Sequence, residues 1–213
     1  MSQELAIGEA PKAIGDSLGS VGMAVLDDLL AETDRELVNN FLARGGWKFG
    51  WQSTPGKDRY SFWHRHFAGH KHSSIEKQYP CADELRETFP LLFRFWSQLA
   101  DNVLAGHTLV RCYANAHAYG SDGTLHTDST SERSYTAIYY PHQKWFPNWA
   151  GETVLFDGDN DILAAIYPRP NRLAIFRGSI PHVARGVARV CPVLRMTLMF
   201  KTEGPKEGSG DQA

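Results

Sequence analysis

Residues 123–130 read GTLHTDST, and within them His126 and Asp128 stand two apart in a run with no helical periodicity. On an extended strand, alternate side chains share a face, so the imidazole and the carboxylate would project together while Thr127 turns away. A ring nitrogen and a carboxylate oxygen side by side are two ligands for a divalent metal. The pair by itself also fits a polar strand end or turn, so the reading depends on what else the chain supplies.

A third ligand is needed, and the histidines after His126 are His142 and His182. His182 lies in FRGSIPHVARGV, after a strand pattern and a Gly-x-x-Pro turn. The gap from Asp128 is of the kind that sets distant strands side by side in a jelly roll. His142 follows the run SYTAIYY and Pro141, where a loop position is expected. Two imidazoles and one carboxylate would leave coordination positions open, the arrangement of non-heme Fe(II) oxygen chemistry. Arg195 in PVLRMTLMF is the next candidate. Leu194, Met196, Leu198 and Phe200 share one strand face, which leaves Arg195 and Thr197 together on the other. A guanidinium turned into a barrel calls for an anion, and Arg grips a carboxylate through two parallel hydrogen bonds with Thr197 as a neighbouring donor. The competing reading is an outward-facing Arg on the last strand.

These residues must be positioned by a scaffold, and the chain changes character along its length. Residues 1–20 and the tail from Thr202 are rich in Gly, Pro and small polar residues and are expected to be flexible. GMAVLDDLL reads as a strand and turn. TDRELVNNFLARGG reads as a helix with a capping box of Thr33 and Glu36, an apolar stripe of Leu37, Val38, Phe41 and Leu42, and a stop at Gly45. A second helical stretch, ADELRETFPLLFRFWSQLADNVL, is split at Pro90, which starts a new helix. Its stripe of Phe93, Trp96 and Leu99 reads as core. From Thr108 onward short strands follow one another between Gly, Pro, Asn and Asp: TLVRCYANAH, SYTAIYYPH, GETVLFDG, DILAAIYP, NRLAIFRG, HVARGV and PVLRMTLMFK. The expected class is α+β, mainly β: a double-stranded β-helix (jelly roll, cupin-like) with N-terminal helices packed on one sheet, forming one domain over residues 21–201.

Composition bounds the function. The 213 residues are 42% hydrophobic and 12% aromatic, enough for a sizeable sheet-rich core. A formal net charge of −2 and the lack of a basic stripe with interleaved aromatics argue against nucleic acid and anionic membranes as partners. Cys81, Cys112 and Cys191 form no C-x-x-C pair and read as reduced thiols. With no signal-like apolar run and no span of membrane length, a soluble cytoplasmic protein is expected.

The segments from Val21 to Lys201 resemble the Fe(II)- and 2-oxoglutarate-dependent dioxygenases, within them the prolyl-4-hydroxylase-like branch. AVLDDLLAETDRELV is similar to that family's opening strand and helix, and RCYANAHAYGSDGTLHTDS to the strand leading into its His-x-Asp motif. YTAIYY, AGETVLF, PRPNRLAIFRG, PHVARGV and RMTLMF follow in family order. The resemblance implies His126, Asp128 and His182 as the iron triad and catalytic centre. It implies Arg195 as partner of the distal carboxylate of 2-oxoglutarate, and Tyr140 and Tyr113 as phenols that hydrogen-bond the cosubstrate. The interval from His182 to Arg195 is longer than is usual in this branch, which makes Arg189, and more remotely Arg177, rival carboxylate partners.

The implied cofactors are Fe(II), 2-oxoglutarate and O2, with ascorbate expected from the family alone. The implied reaction converts 2-oxoglutarate and O2 to succinate and CO2 while oxidising a C–H bond. Asp128 points to hydroxylation or another oxidation, because halogenating relatives carry a small residue there. The expected substrate is a small molecule such as an amino acid or natural-product intermediate. A prolyl residue in a protein or peptide stays open, and so does a non-oxygenase cupin-type metal isomerase or binding module. SFWHRHFAGHKHSS, with His64, His66, His70 and His72 near Trp47, Trp51, Tyr60 and Trp63, fits no zinc spacing and reads as a lid or wall over the metal, with an ordinary polar loop as the alternative. Sequence is silent on oligomeric state.

Overall fold

The computed structural model of the protein describes residues 22–54, 56–70 and 79–205. Ten strands and three α-helices follow in the order β1 (Met23–Leu26), α1 (Glu32–Ala43), β2 (Lys48–Trp51), β3 (Phe62–Gly69), α2 (Ala82–Thr88), α3 (Pro90–Asp101), β4 (Thr108–His117), β5 (Ser134–Tyr140), β6 (Thr153–Phe156), β7 (Ile162–Ile166), β8 (Arg172–Arg177), β9 (His182–Ala184) and β10 (Arg195–Glu203). Seven strands pair in the order β1-β8-β5-β10-β4-β3-β2, and β7-β6-β9 form a second sheet. Every strand pair is antiparallel.

Alternation along β10 sorts its side chains between two environments. Leu198 and Phe200 turn outward to the helices, where Phe95 of α3 meets Phe200 and Tyr139 edge-on at ring separations of 5.4 and 4.9 Å. Val38 and Leu42 of α1, Leu85 of α2 and Leu92, Phe95, Trp96 and Leu99 of α3 complete that core. Arg195, Thr197, Met199 and Lys201 turn the other way, toward the space between the sheets. There Tyr113, Ile138, Ala174, Phe176 and Met199 of the large sheet pack with Leu155 and Ile166 of the small one. The mainly β sandwich with helices on one face is the architecture expected from the strand and helix patterns.

Three local expectations differ. Helix α1 begins at Glu32 with Ala31 at its cap and no side-chain cap hydrogen bond, so Thr33 lies inside the first turn and the box with Glu36 does not form. Leu37 of the predicted stripe is 47% exposed, while Val38 and Leu42 carry the buried face. Thr202 and Glu203 belong to β10 and Thr202 is fully buried, so the ordered chain runs past the predicted boundary. The readings of a flexible N-terminus and of the last residues of the tail fall outside the described residues, as does His72. Pro90 opens α3 as expected. The three cysteines are free thiols, two of them buried. Among the described residues no helix is long and apolar enough to cross a membrane.

Candidate metal and cosubstrate site

His126 and His182 are brought together by backbone pairing. Each donates its N–H to the other's carbonyl, at 3.1 and 2.9 Å, so the loop before β5 is stitched to the start of β9 and the imidazole rings lie 4.5 Å apart. Nδ1 of His126 faces the carbonyl of Thr124 at 2.7 Å, and Nδ1 of His182 faces that of Ile180 at 2.9 Å. A carbonyl only accepts, so Nδ1 carries the proton in both rings and the Nε2 lone pair is left for a ligand role.

Asp128 does not sit on a strand, contrary to the expectation from His-x-Asp alternation; it occupies a bend. Its N–H and that of Ser129 both donate to the Gly178 carbonyl, at 2.8 and 3.1 Å. Glycine eases the approach, because a Cβ at position 178 would lie 2.8 Å from the Ser134 hydroxyl and 3.2 Å from the Cβ atoms of Ser129 and Ser134. This turn aims one carboxylate oxygen at each imidazole: Oδ2 is 3.2 Å from Nε2 of His182 and Oδ1 is 3.6 Å from Nε2 of His126. One ligand atom from each of the three residues lies within 4.8 Å of the other two. Two imidazole lone pairs and a carboxylate turned to one point repel unless a cation lies among them. The donor set therefore fits a divalent metal with open coordination positions.

In the metal-free protein Asp128 has another cation beside it. Lys201, reaching inward from β10, donates to Oδ2, and Thr136 of β5 donates to the same oxygen at 2.6 Å. Lys201 is also 2.9 Å from the Thr136 hydroxyl. Burial opposes the charge on Asp128, but Lys201 and then His182 and His126 hold its carboxyl well below the usual range. Burial likewise opposes protonation of His126, yet the hydrogen bond and charge of Asp128 raise its pKa.

Arg195 stands at the opposite end of β10 and is 1% exposed. Its Nε donates to the Gly151 carbonyl and its Nη2 to the Thr153 hydroxyl at 2.7 Å. Gly151 has φ of 86°, and a Cβ there would lie 3.1 Å from Arg195 Cδ, so the glycine makes room for the guanidinium. Burial lowers the pKa of Arg195. Among the described residues it forms no ion pair, which leaves a buried cation facing neutral oxygens and suits an incoming carboxylate.

The remaining predicted residues divide. Arg195, Thr197 and Tyr113 line one recess, partly open to solvent, together with the triad. Tyr140 does not line it: its hydroxyl meets Thr153 Oγ1 at 2.8 Å, so it supports the Arg195 pocket from behind. Arg189 lies exposed in a turn, and Arg177 is exposed and paired with Glu132 at 3.5 Å, so neither reaches the cavity. His142 is buried outside the triad, its Nε2 accepting the Met196 N–H at 3.2 Å, where it anchors the start of β10. His64 and His66 belong to β3 and not to a loop; His64 stacks on Trp51 at 3.9 Å and bonds Asn115 of the cavity wall at 2.8 Å.

Lys201, Thr153, Asn115 and His117 were not anticipated. The signal for Lys201 was the alternation of Arg195 and Thr197, carried two steps further. That for Asn115 and His117 was the polar row Tyr113, Asn115, His117 set against Cys112, Ala114 and Ala116.

Comparison with known proteins agrees with this geometry. Residues 112–200 match the model of the 2OG-Fe(II) oxygenase superfamily. No curated protein matches the chain in sequence. Among solved structures, an oxidoreductase of the 2OG-Fe(II) oxygenase family from Burkholderia pseudomallei is similar over 95% of this chain and 96% of its own, with a TM-score of 0.65 at 15% identity. A Pseudomonas putida prolyl-4-hydroxylase is similar over 90% of this chain and 97% of its own, with a TM-score of 0.56 at 17% identity. HygX from Streptomyces hygroscopicus, solved with nickel, 2-oxoglutarate and hygromycin B, is similar over 86% of this chain and 83% of its own, with a TM-score of 0.55 at 13% identity. At such identities the likeness carries the double-stranded β-helix fold, while the family match covers the stretch that holds the triad and Arg195. The second half of the chain, from Cys112 to Phe200, is thus similar to the 2OG-Fe(II) oxygenase superfamily, and the whole chain shares the fold of its solved members.

Proposed function

We propose that the protein is a single-domain Fe(II)- and 2-oxoglutarate-dependent dioxygenase in which His126, Asp128 and His182 hold the metal. In this reading Arg195, with Thr197 and Tyr113 beside it, binds 2-oxoglutarate, and the enzyme hydroxylates or otherwise oxidises an unactivated C–H bond of a small molecule. The observation that carries the reading is the pairing, in one cavity, of a convergent three-ligand centre with a buried guanidinium that forms no ion pair among the described residues.

Bound iron and 2-oxoglutarate would supply the oxidising power, with O2 consumed and succinate and CO2 released. The chain's own residues do the rest. Carbonyls of Thr124 and Ile180 fix the tautomers of the two histidines. Thr136 and Lys201 hold one carboxylate oxygen of Asp128. Thr153 and Gly151 hold the guanidinium in place for the distal carboxylate. The substrate is taken as a small molecule, with a prolyl residue of a protein or peptide as the second reading. The structural neighbours include both kinds, since HygX was solved with hygromycin B and the Pseudomonas putida protein is a prolyl-4-hydroxylase.

The test is an anaerobic titration of the metal-free protein with Fe(II) and then 2-oxoglutarate, followed by the weak visible charge-transfer band of the chelate. The band should form in the wild type, vanish in His126→Ala and require far more 2-oxoglutarate in Arg195→Ala. A folded wild-type protein that gives no band would overturn the reading in favour of a cupin-type isomerase or a binding module.

A further inference from the structure

His117, the last residue of β4, is 2% exposed and lines the cavity, yet neither of its ring nitrogens has a hydrogen-bond partner among the described residues. A neutral imidazole always carries one donor and one acceptor, and buried polar groups left unmet in a folded protein call for a ligand or another specific cause. Phe62 closes one side of the ring at a centroid separation of 4.4 Å, so the imidazole has an apolar backing.

Its position along the sheet says which ligand. In the antiparallel register of β4 and β10, His117 stands directly opposite Arg195. Two nitrogens of Arg195 are already committed to the Gly151 carbonyl and the Thr153 hydroxyl. The Nε edge of the guanidinium is therefore taken, leaving Nη1 and one Nη2 hydrogen for a carboxylate, whose two oxygens together accept about four hydrogen bonds and so have room for a further donor. Burial, with Arg195 nearby adding to it, pushes the His117 pKa down to about 3, so the ring enters the cavity neutral, with a single N–H to give.

We infer that His117 is a second ligand for the distal carboxylate of 2-oxoglutarate, donating a ring N–H to the oxygen that Arg195 does not fully satisfy. The inference rests on the reading of the cavity as a 2-oxoglutarate site. A hydrogen bond to a charged group contributes enough that its loss weakens binding by about 10- to 100-fold.

The experiment measures dissociation constants for 2-oxoglutarate and for 2-oxopentanoate, which has the same chain length but a methyl group in place of the distal carboxylate. Both are titrated anaerobically into the Fe(II)-loaded wild type, His117→Leu, His117→Phe and His117→Gln. The apolar variants should bind 2-oxoglutarate about 10- to 100-fold more weakly, with Fe(II) affinity and 2-oxopentanoate binding unchanged, and His117→Gln should recover most of the loss. Their ligand-free melting temperatures should equal or exceed that of the wild type, because an unmet polar group has been removed from the interior. Apolar variants that bind 2-oxoglutarate as the wild type does, or that lose both ligands equally, overturn the inference while leaving the proposed function intact. A wild type that binds Fe(II) but not 2-oxoglutarate overturns the proposed function itself.

Discussion

Replacing Lys201 by Met tests whether the ammonium is the internal counter-ion of Asp128. Lys201 and Asp128 are both largely buried, with side-chain exposures of 9% and 12%, and Thr136 ties them together across β10 and β5. Methionine keeps most of the length and removes the charge, leaving a buried carboxylate whose strongest partner is gone. Breaking a buried ion pair from one side costs roughly 3–5 kcal/mol. At about 2–4 °C per kcal/mol for a chain of this size, the metal-free melting temperature should fall by roughly 6–20 °C. The same carboxylate can be compensated in two other ways, and each gives a further reading. A divalent cation at the triad at about 100 times its dissociation constant returns roughly 2.7 kcal/mol. It should return more to the variant, whose Asp128 no longer shares an oxygen with an ammonium, so the gap to the wild type narrows in saturating Ni(II). Removing both charges in Lys201→Met/Asp128→Leu should bring the metal-free protein back close to wild-type stability while abolishing the response to metal. Thermal melts of the wild type, Lys201→Met and the double variant, each with and without Ni(II), form the assay. A single variant within about 1 kcal/mol of the wild type without metal, or a deficit that Ni(II) does not reduce, would refute the counter-ion argument.

Three further perturbations probe the framework around the site. His64, His117 and His142 are buried, with pKa values pushed down to about 4, 3 and 3, in each case first by burial; Arg111 and His66 add to the effect at His64 and Arg195 at the other two. The unfolded chain then takes up protons that the native state refuses as pH falls below 6.5, so stability is full above that pH. It should decline toward pH 4 by on the order of 1 kcal/mol per pH unit for each ring; a urea midpoint that stays level between pH 7 and 5 would contradict this. Gly178→Ala places a Cβ 2.8 Å from Ser134 Oγ and 3.2 Å from Ser129 Cβ, so it should cost about 1–3 kcal/mol and weaken metal binding by moving Asp128, measured by calorimetric titration with Ni(II). Asn171 bonds the backbone of Leu30 on both sides and accepts from the Tyr139 hydroxyl. Asn171→Ala should lower stability by about 2–4 kcal/mol with metal affinity unchanged, and a parallel loss of metal affinity would count against a purely structural role.

The parts of the site that were legible in sequence are those that local pattern controls. Arg195 and Thr197 are separated from Leu198 and Phe200 by the two-residue period of a strand, and that period needs no knowledge of neighbours. His126 and Asp128 were recognisable by type and spacing, but the strand geometry assigned to them was wrong. What brings Asp128 to the histidines is a turn seated on the Gly178 carbonyl, a contact between segments far apart in the chain. The capping box failed for a related reason: Thr33 and Glu36 have the right spacing, but with Leu30 bonded on both sides to Asn171 the helix starts at Glu32, two residues too early for Thr33 to cap it. Lys201 and His117 went unread because their significance is relational. A lysine near the end of a chain and a histidine in a small-residue strand carry no signal until the register sets one beside Asp128 and the other opposite Arg195.

The charges of the site also couple its two ends. Its side chains include two buried cations, Arg195 and Lys201, and one buried carboxylate, Asp128, which Lys201 already neutralises. A divalent metal at the triad adds positive charge beside Lys201 in a poorly solvated cavity, where like charges repel strongly. A dicarboxylate spanning the cavity offsets that surplus at both ends, against the metal and against Arg195. The metal therefore favours the dianion, and by linkage the dianion must raise metal affinity by the same factor. Lys201 makes this coupling stronger than the triad and Arg195 would alone, because without it the metal, Asp128, the guanidinium and a dianion already balance.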